Sequence, residues 1–400
     1  MTTVASRVQG DLASRVRTRL ITAGQPPTPH AVASAVRDES LLIGDDALLA
    51  LASDLGREFA GAGVLEPLLR IPGITDVVVN GHDQVWVDDG AGLRRVPVQL
   101  RSEEHVRLLA QRLAAAAGRR LDEAVPCVDA VIRDGIRLHA VIPPIATKGT
   151  AISLRIPRRQ AFTLEDLITC GTVDRVGASW LRAIIEARLS FLISGSTGSG
   201  KTTVLSTLLS ELPEHQRLVI VEDSAELQPT HEHVVALQSR PANIEGAGLV
   251  TMRDLVRQAL RMRPDRIVVG EVRGAEVVDL LAALNTGHEG GCGTVHANSA
   301  TDVPARLQAL GLMAGLDRAA TQALVVAGLQ VLMHLDRDLA GARRVTGIHV
   351  IDGGQHPGAT LRTPAAFVRR RGGLRPGPGL NHLSTMIKGR GVRPPRMPAR

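Results

Sequence analysis

The stretch GSTGSGKT at residues 195–202 decides the fold of this chain. Its first and sixth residues are glycines, and Lys201 and Thr202 follow them. An apolar run, LSFLIS, precedes the stretch at 189–194, and TTVLSTLLSEL at 202–212 favours a helix. A strand, a glycine-rich loop and a helix in this order are typical of a phosphate-binding loop. The alternative is a glycine-rich turn before an ordinary helix, but chance rarely produces this spacing with a lysine.

The loop predicts a nucleotide site. Its backbone N–H groups and the following helix N-terminus can surround a triphosphate. Lys201 would reach the β- and γ-phosphates, and Thr202 would bind Mg²⁺. Arginine supplies 44 of the 47 basic residues, yet a lysine stands here, where a compact ammonium fits and a planar guanidinium would not. The predicted nucleotide-binding residues are Gly195, Ser196, Thr197, Gly198, Ser199, Gly200, Lys201, Thr202 and Thr203.

Two further apolar runs end in acidic residues. LVIVEDSAEL occupies 218–227, and RIVVGE occupies 266–271. In a parallel sheet the carboxyl ends of such strands face the phosphate loop, where carboxylates can orient Mg²⁺ or the attacking water. The alternative for either run is a carboxylate that caps a helix or is solvated. The predicted catalytic carboxylates are Glu222, Asp223, Glu226 and Glu271.

A glycine-rich segment, TGHEGGCGTVHANS at 286–299, carries two histidines. We interpret His288 and His296 as sensors that hydrogen-bond the γ-phosphate and report its hydrolysis. One alternative is a zinc site formed by His288, Glu289, Cys292 and His296, although these spacings fit no common ligand pattern. Another is a structural loop with incidental histidines.

Arginines are the remaining candidates, because phosphoryl transfer needs positive charge that a neighbouring subunit often supplies. The run DLVRQALRMRPDR at 254–266 places Arg257 and Arg261 one turn apart, with Arg263 beyond them. Arg155 and Arg158 lie in the preceding domain and are predicted to close the site. Each arginine alone is more often a surface or ion-pair residue, and the argument rests on the set.

Length and periodicity predict an α/β protein of more than one domain. Residues 1–60 have helical periodicity, and residues 61–157 read as short strands with one helix, which is a small α+β domain. A linker with one short helix is predicted at 158–179, and alternating strands and helices over 180–352 indicate a buried parallel sheet. Residues 353–400 are predicted to be a disordered basic tail.

Charge is distributed unevenly along the chain. The net charge is +7, yet no acidic residue follows Asp352 and ten basic residues do, which leaves −3 for residues 1–352. A nearly neutral body argues against a large nucleic-acid surface, and the absence of Tyr with only 2% aromatic residues makes base-stacking platforms scarce. The tail could contact acidic lipid or nucleic acid, or it could simply be solvated.

The remaining composition indicates the compartment. The three cysteines, Cys127, Cys170 and Cys292, lie far apart and suit a reducing environment. The first twenty residues lack a signal-peptide pattern, and no run approaches the length of a membrane span. We therefore expect a cytoplasmic protein.

These clusters, in this order, resemble the type II/type IV secretion ATPase superfamily. They resemble most of all its TadA/CpaF branch, the Tad (Flp) pilus motors. That branch includes actinobacterial members labelled conjugal-transfer ATPases. The resemblance rests on FAGAGVLEPLL (59–69), ITDVVVNG (74–81), RLHAVIPP (137–144), ISLRIPR (152–158), GSTGSGKTT (195–203), IVEDSAELQ (220–228) and the long run at 255–299. The four-cysteine zinc insertion of the type II branch is absent.

The resemblance implies a RecA-like P-loop NTPase domain preceded by a PAS-like N-terminal domain. It implies a homo-hexameric ATPase with ATP and Mg²⁺ bound between these domains, on the inner face of the membrane, driving inner-membrane platform proteins of a pilus or secretion system. Glu222, Asp223 and Glu226 match the family's Asp box, Glu271 ends its Walker B box, and the two histidines match its His box. The alternatives are a DNA-translocating ring ATPase of conjugation and a nucleotide-binding scaffold that does not hydrolyse.

Overall fold

The computed structural model describes residues 61–90, 92–157, 162–240, 242, 247–338, 341–354 and 361–397, together with 15, 16, 19 and 34–38. The chain divides into two compact units, residues 1–158 and 159–400. The described residues before 61 are helical, and the rest of the predicted N-terminal helical segment, 1–60, lies outside the described residues.

The first unit contains a six-stranded sheet in the order β3-β2-β1-β6-β5-β4, and all neighbouring strands are antiparallel. The strands are β1 (Asp76–Asn80), β2 (Val85–Asp88), β3 (Leu93–Val96), β4 (Cys127–Val131), β5 (Arg137–Val141) and β6 (Ala151–Arg155). The helices are α1 (Glu66–Leu69) and α2 (Glu103–Ala116), with 3₁₀ turns at Gly63–Leu65 and Arg133–Gly135. The predicted α+β composition of this region is therefore observed, and its PAS-like character stays a prediction.

Local sequence explains these elements. Val77 and Val79 of β1 are completely buried and alternate with less buried neighbours, the pattern of a strand with one face on a core. Helix α2 begins after Ser102, whose hydroxyl accepts a hydrogen bond from the backbone N–H of His105 at 3.3 Å. The hairpin between β4 and β5 turns at Asp134 and Gly135, which have φ values of 60° and 74°.

The second unit contains a nine-stranded sheet in the order β15-β14-β13-β12-β7-β11-β10-β8-β9. The strands from β12 to β9 in this order are parallel, and β13, β14 and β15 extend the sheet antiparallel beyond β12. The strands are β7 (Phe191–Gly195), β8 (Leu218–Glu222), β9 (Val234–Gln238), β10 (Arg266–Val269), β11 (Cys292–His296), β12 (Val331–Arg337), β13 (Arg343–Val350), β14 (Ala365–Arg370) and β15 (Gly373–Pro376).

Helices cover both faces of this sheet. They are α3 (Leu164–Thr169), α4 (Arg175–Glu186), α5 (Lys201–Ser210), α6 (Met252–Ala259), α7 (Glu276–Asn285), α8 (Val303–Met313), α9 (Arg318–Gly328) and α10 (Leu380–Gly389), with 3₁₀ turns at Leu260–Met262 and Ala300–Asp302. One apolar core joins α3, α4, α5 and α10 to the sheet, and a second joins α6 to α9 to its other face. Every residue of β7, β8 and β10 is buried, as expected for strands covered on both faces.

The parallel strands define two ends of the sheet. Their carboxyl ends lie together, because Gly195 of β7 pairs with His296 of β11, and Val269 of β10 pairs with Val221 of β8. We call this the carboxyl end of the sheet, and the other the amino end. Ligands of open α/β sheets bind at the carboxyl end.

The predicted disorder of residues 353–400 is wrong for the described part of that segment. Strands β14 and β15 and helix α10 fold there, and Phe367, Leu383 and Ile387 are completely buried. A strand attaches through backbone hydrogen bonds that do not depend on side-chain type. A few apolar residues at the right spacing therefore suffice to order a segment that is otherwise rich in Arg, Gly and Pro.

The one short helix predicted in the linker at 158–179 is observed as α3, but the described residues of this segment belong to the second unit. Helix α3 buries Leu164 and Leu167 in the core of the second unit, and α4 begins at Arg175. Asp174 caps α4 by accepting from the N–H of Gly177 at 2.7 Å, and its other oxygen accepts from the N–H of Leu374 at 2.6 Å. The linker and tail predicted from sequence thus pack against each other.

None of the helices in the described ranges combines the length and the apolar character needed to cross a lipid bilayer.

Candidate active site

The phosphate loop connects β7 to α5 at the carboxyl end of the sheet. Gly195, Gly198 and Gly200 have φ values of 153°, 74° and 95°, which L side chains rarely adopt. A Cβ atom at Gly195 would clash with the carbonyl oxygen of Leu335 and would lie 2.6 Å from the Ser199 hydroxyl. The glycines are therefore needed for the loop to turn tightly into the N-terminus of α5.

Lys201 is folded back against the loop. Its side-chain Nζ donates to the carbonyl oxygens of Gly195 at 3.0 Å and Ser196 at 2.9 Å. The residue is only 6% exposed, and burial lowers the pKa of its ammonium group, with nearby Glu271 opposing the shift. The loop thus holds a buried cation beside its own N–H groups.

His296 connects this lysine to the predicted Walker B glutamate. Its Nδ1 lies 3.3 Å from Lys201 Nζ, and its Nε2 lies 3.0 Å from Glu271 Oε1. Burial, followed by the charge of Lys201, lowers the pKa of the imidazole, so the neutral form is favoured. A neutral ring that accepts at Nδ1 and donates from Nε2 satisfies both neighbours.

Arg273 holds two of the predicted carboxylates. Its Nε and one terminal nitrogen donate to Glu271 Oε1 at 2.6 Å and Oε2 at 2.7 Å, and its other terminal nitrogen donates to Asp223 Oδ2 at 2.7 Å. Burial alone would raise the pKa of Glu271, but the Arg273 hydrogen bond, together with the electrostatic effect of His296, Arg273 and Lys201, outweighs it and lowers the pKa.

The three Asp-box carboxylates are not equivalent. Glu222 is 4% exposed, and its Oε1 accepts from the N–H groups of Glu226 at 3.1 Å and Leu227 at 3.0 Å. Burial raises the pKa of Glu222 to about 7, and these hydrogen bonds only partly oppose it. Glu222 therefore shapes the turn after β8, and its catalytic role stays a prediction, while Asp223 is partly exposed and Glu226 is exposed.

Comparison with known proteins identifies the family. The sequence profile described as "Type II/IV secretion system protein" matches residues 58–363, which is more than half of the chain. The chain belongs to the Type II/IV secretion system protein family. The predicted superfamily of secretion ATPases and the prediction of an ATP hydrolase are thereby confirmed.

Individual relatives agree with this family. A putative conjugal transfer protein of Mycobacterium tuberculosis is 56% identical over 316 residues, which cover 78% of this chain and 90% of the relative. The type IV secretion system protein PtlH of Bordetella pertussis is 32% identical over 309 residues, covering 70% of this chain and 91% of PtlH. The TadA/CpaF subtype stays a prediction.

The fold also matches a solved structure. The crystal structure of the pilus retraction motor PilT with bound ADP aligns with a TM-score of 0.51 and 21% identity, covering 72% of this chain and 81% of that chain. At this identity the likeness concerns the fold alone. The predicted α/β, RecA-like P-loop class is confirmed.

The loop fits the phosphates and Mg²⁺ that this family implies. The Ser199 hydroxyl is buried with no hydrogen-bond partner in the structure, beside the N–H groups that would face an anion. Across the described residues no three His, Cys, Asp or Glu side chains form a cage for a metal. Mg²⁺ usually keeps waters and binds through phosphates with one or two protein oxygens. Thr202, at the start of α5, would supply such an oxygen.

The alternative zinc site is excluded by the strand geometry. His288 precedes β11, whereas His296 ends it, so the two histidines lie toward opposite ends of the sheet. Cys292 is completely buried within β11, and burial raises the pKa of its thiol to about 12. The same separation contradicts the predicted sensor role of His288 beside its own chain's phosphate loop.

The predicted arginines of the second unit lie apart from this cluster. Arg257 donates to Asp279 at 2.7 Å. Arg261 and Arg263 are exposed at the amino end of the sheet, just before β10. Arg155 ends β6 in the first unit, and Arg158 lies outside the described residues.

Two arginines of the site were not predicted. Arg273 stands two residues after Glu271, and this proximity in a family-like segment was the signal available. Arg343 begins β13 and donates from Nε to the carbonyl oxygen of Gly198 in the phosphate loop at 2.9 Å. Nothing in the sequence links Arg343 to a loop about 145 residues earlier, because only the order of strands brings them together.

Proposed function

We propose that this chain is a Mg²⁺-dependent ATPase that forms a homo-hexamer and powers pilus assembly of the Tad/Flp type, or protein secretion, at the cytoplasmic face of the inner membrane. The observation that carries the proposal is the continuous contact from Lys201 through His296 to Glu271. It joins a phosphate-binding lysine to a carboxylate that can serve as general base.

The geometry supports in-line hydrolysis. A water oxygen attacks the γ-phosphorus, its proton passes to Glu271, and the bond to the β-phosphate bridging oxygen breaks with its electron pair leaving on ADP. Lys201 exchanges the carbonyls of Gly195 and Ser196 for phosphate oxygens. Thr202 would hold Mg²⁺, which supplies positive charge to the phosphates when bound.

His296 can report the reaction within the same chain. Its two ring nitrogens face Lys201 and Glu271. A movement of the lysine toward the phosphates would therefore change the contact that His296 makes with the base. This contact supports the predicted sensor role of His296. The closing role predicted for Arg155 or Arg158 stays a prediction.

The experiment that tests the function compares two variants with the wild-type chain. Lys201→Ala removes the phosphate contact and is expected to abolish phosphate release, with a loss of about 100-fold or more. Glu271→Gln keeps a side chain of the same size but cannot accept the proton, so ATP affinity is expected to stay within about threefold while turnover is lost. Phosphate release and ATP affinity are measured on each. Normal turnover by Lys201→Ala would refute the site, and normal turnover by Glu271→Gln would refute the base.

A second function, DNA translocation in conjugation, is favoured by the name of the 56% identical relative, a putative conjugal transfer protein. The two functions differ in their response to DNA. Because the C-terminal segment is part of the fold, the measurement uses the full chain, with and without Arg370→Gln and Arg371→Gln. If DNA stimulates phosphate release and the stimulation survives both substitutions, translocation is favoured. If DNA does not stimulate phosphate release, the pilus or secretion motor is favoured.

A scaffold that binds nucleotide without hydrolysing it is the third alternative. The pairing of Glu271 with His296 at the carboxyl end of the sheet argues against it. If pure wild-type hexamer released no phosphate, the non-hydrolysing scaffold would be favoured.

A further inference from the structure

Arg273 engages both oxygens of the proposed base. Glu271 Oε1 accepts from Arg273 Nε and lies beside His296 Nε2, and Oε2 accepts from an Arg273 terminal nitrogen. A carboxylate in such a bidentate pair is a weak proton acceptor. Glu271 must therefore leave this pair before it can accept a proton from water.

The position of Arg273 allows a different partner. Its backbone N–H donates to Glu276 Oε1 at 2.7 Å, and so does the N–H of Gly274 at 2.7 Å. Its side chain is 52% exposed, whereas that of Glu271 is only 16% exposed. The backbone is thus fixed, and exchange of the partner needs rotation of the side chain alone.

A γ-phosphate bound at the phosphate loop would be a strong competing acceptor for Arg273. Arg273 is connected to Lys201 through Glu271 and His296, and its charge contributes to the lowered pKa of both Lys201 and His296. A planar guanidinium prefers bidentate contact with phosphate as much as with carboxylate. The phosphoryl group also gains stabilisation from positive charge as it transfers.

Resting on the proposed ATPase function, we propose that Arg273 transfers its contact from Glu271 and Asp223 to the γ-phosphate of bound ATP. This single exchange frees Glu271 to accept the proton of water and supplies an arginine to the transferring phosphoryl group from the same chain. The triphosphate thereby activates the base that hydrolyses it, and ADP, which lacks the γ-phosphate, does not.

The test uses Arg273→Ala, with Arg182→Ala as the matched control. Arg182 is also an exposed arginine of the second unit in an ion pair, with Glu211 at 2.8 Å. Arg273→Ala is expected to lower kcat at least about 100-fold. ADP affinity should stay within about twofold, while affinity for ADP with aluminium fluoride, which mimics the transferring phosphoryl group, falls at least about tenfold. Arg182→Ala should match wild type in kcat, in ADP affinity and in affinity for ADP with aluminium fluoride.

A pH profile separates this role from a structural one. Because Arg273 holds the pKa of Glu271 down in the nucleotide-free chain, its loss should move the acid limb of the kcat/KM profile, which reports the free enzyme, to higher pH, and Arg273→Lys should restore part of kcat. A merely structural arginine would change neither the limb nor the preference for the aluminium fluoride complex. If Arg273→Ala does not fold, Arg273→Gln decides by the same criteria.

The opposing outcomes are distinct. An Arg273→Ala rate within about threefold of wild type overturns the inference and leaves the ATPase intact, and so does an equal loss of affinity for ADP with and without aluminium fluoride. A wild-type chain that releases no phosphate overturns the proposed function instead. Even then, equal binding of ADP with aluminium fluoride by wild type and Arg273→Ala overturns the inference.

Discussion

At the residue scale, Glu222 shows that the carboxylates of one sequence box serve different purposes. It is buried under the turn after β8, where two backbone N–H groups face one of its oxygens. Gly270 is needed beside it, since a Cβ there would lie 2.5 Å from Glu222 Cγ. The acid therefore couples the end of β8 to the residue before Glu271.

We predict that Glu222→Gln changes how stability depends on pH. Burial raises the pKa of Glu222 from 4.5 to about 7 in the folded chain. Between these pH values the unfolded chain has lost the proton and the folded chain keeps it. The Glu222 contribution to the free energy of unfolding therefore falls as pH rises, by about 3 kcal/mol at most. Above pH 7 this contribution is constant. Urea unfolding at pH 5 and pH 8 measures this difference.

The glutamine side chain cannot ionise. The free energy of unfolding of Glu222→Gln, relative to that of wild type, should therefore be higher at pH 8 than at pH 5. Glu214→Gln is the control, because Glu214 is exposed. A stability difference between Glu222→Gln and wild type that is the same at both pH values would contradict the assignment.

The sequence predicted the site residues whose role is set by local spacing. Lys201 belongs to a contiguous motif, Glu271 ends an apolar run, and His296 lies in a glycine-rich segment with family-like spacing; alignment of parallel strands brings these positions to one place. Arg273 and Arg343 could not be assigned in this way, because their partners are chosen by side-chain packing and by strand order. His288 was misplaced because it lies in the same glycine-rich segment as His296 but before the strand.

At the element scale, the decisive finding is that β14, β15 and α10 complete the second unit. The ring of Phe367 packs against Trp180 of α4 with centroids 5.1 Å apart, and Arg369 donates to the carbonyl oxygens of Gly171 and Thr172. Composition failed here since ten basic residues without a single acid suggest disorder. Arginines that bind carbonyls on the folded unit need no acidic partner.

We predict that Phe367→Ala destabilises the second unit. The side chain is completely buried, so the loss combines a cavity with a broken aromatic pair and should lower the free energy of unfolding by about 3–5 kcal/mol. Fluorescence during urea unfolding reports it in a Trp86→Phe background, where Trp180 is the one remaining tryptophan. Met313→Ala is the control, because Met313 is 77% exposed and should cost less than about 0.5 kcal/mol. Equal, small effects of both changes would show that the segment does not pack as described.

At the scale of the whole molecule, the order of strands explains both what was predicted and what was missed. The central β7 lies between β11 and β12, so residues about 100 and 140 positions later flank the phosphate loop. His334 of β12 lies 2.9 Å from the Ser194 hydroxyl just before the loop. Apolar runs indicated the strands, but only the topology fixes their neighbours.

We predict that a chain ending at residue 352 loses the activity of the second unit. It lacks β14, β15 and α10, which leaves the outer side of β13 unpaired and uncovers apolar core around Val345 and Ile348. Soluble yield, protease resistance and phosphate release should all fall. A chain ending at residue 397 is the control and should behave as the full chain. Normal phosphate release from the chain ending at 352 would show the C-terminal segment to be dispensable.

The near absence of lysine has a consequence for chemical labelling. Only Lys148, Lys201 and Lys388 carry side-chain amines, and the first and last of these are exposed while Lys201 lies in the phosphate loop. An acylating nucleotide analogue delivered to the loop can therefore mark one peptide, and reagents from solution reach the other two. In mass spectrometry, labelling of the Lys201 peptide would therefore report occupancy of the loop, and labelling of Lys148 and Lys388 would serve as the reference.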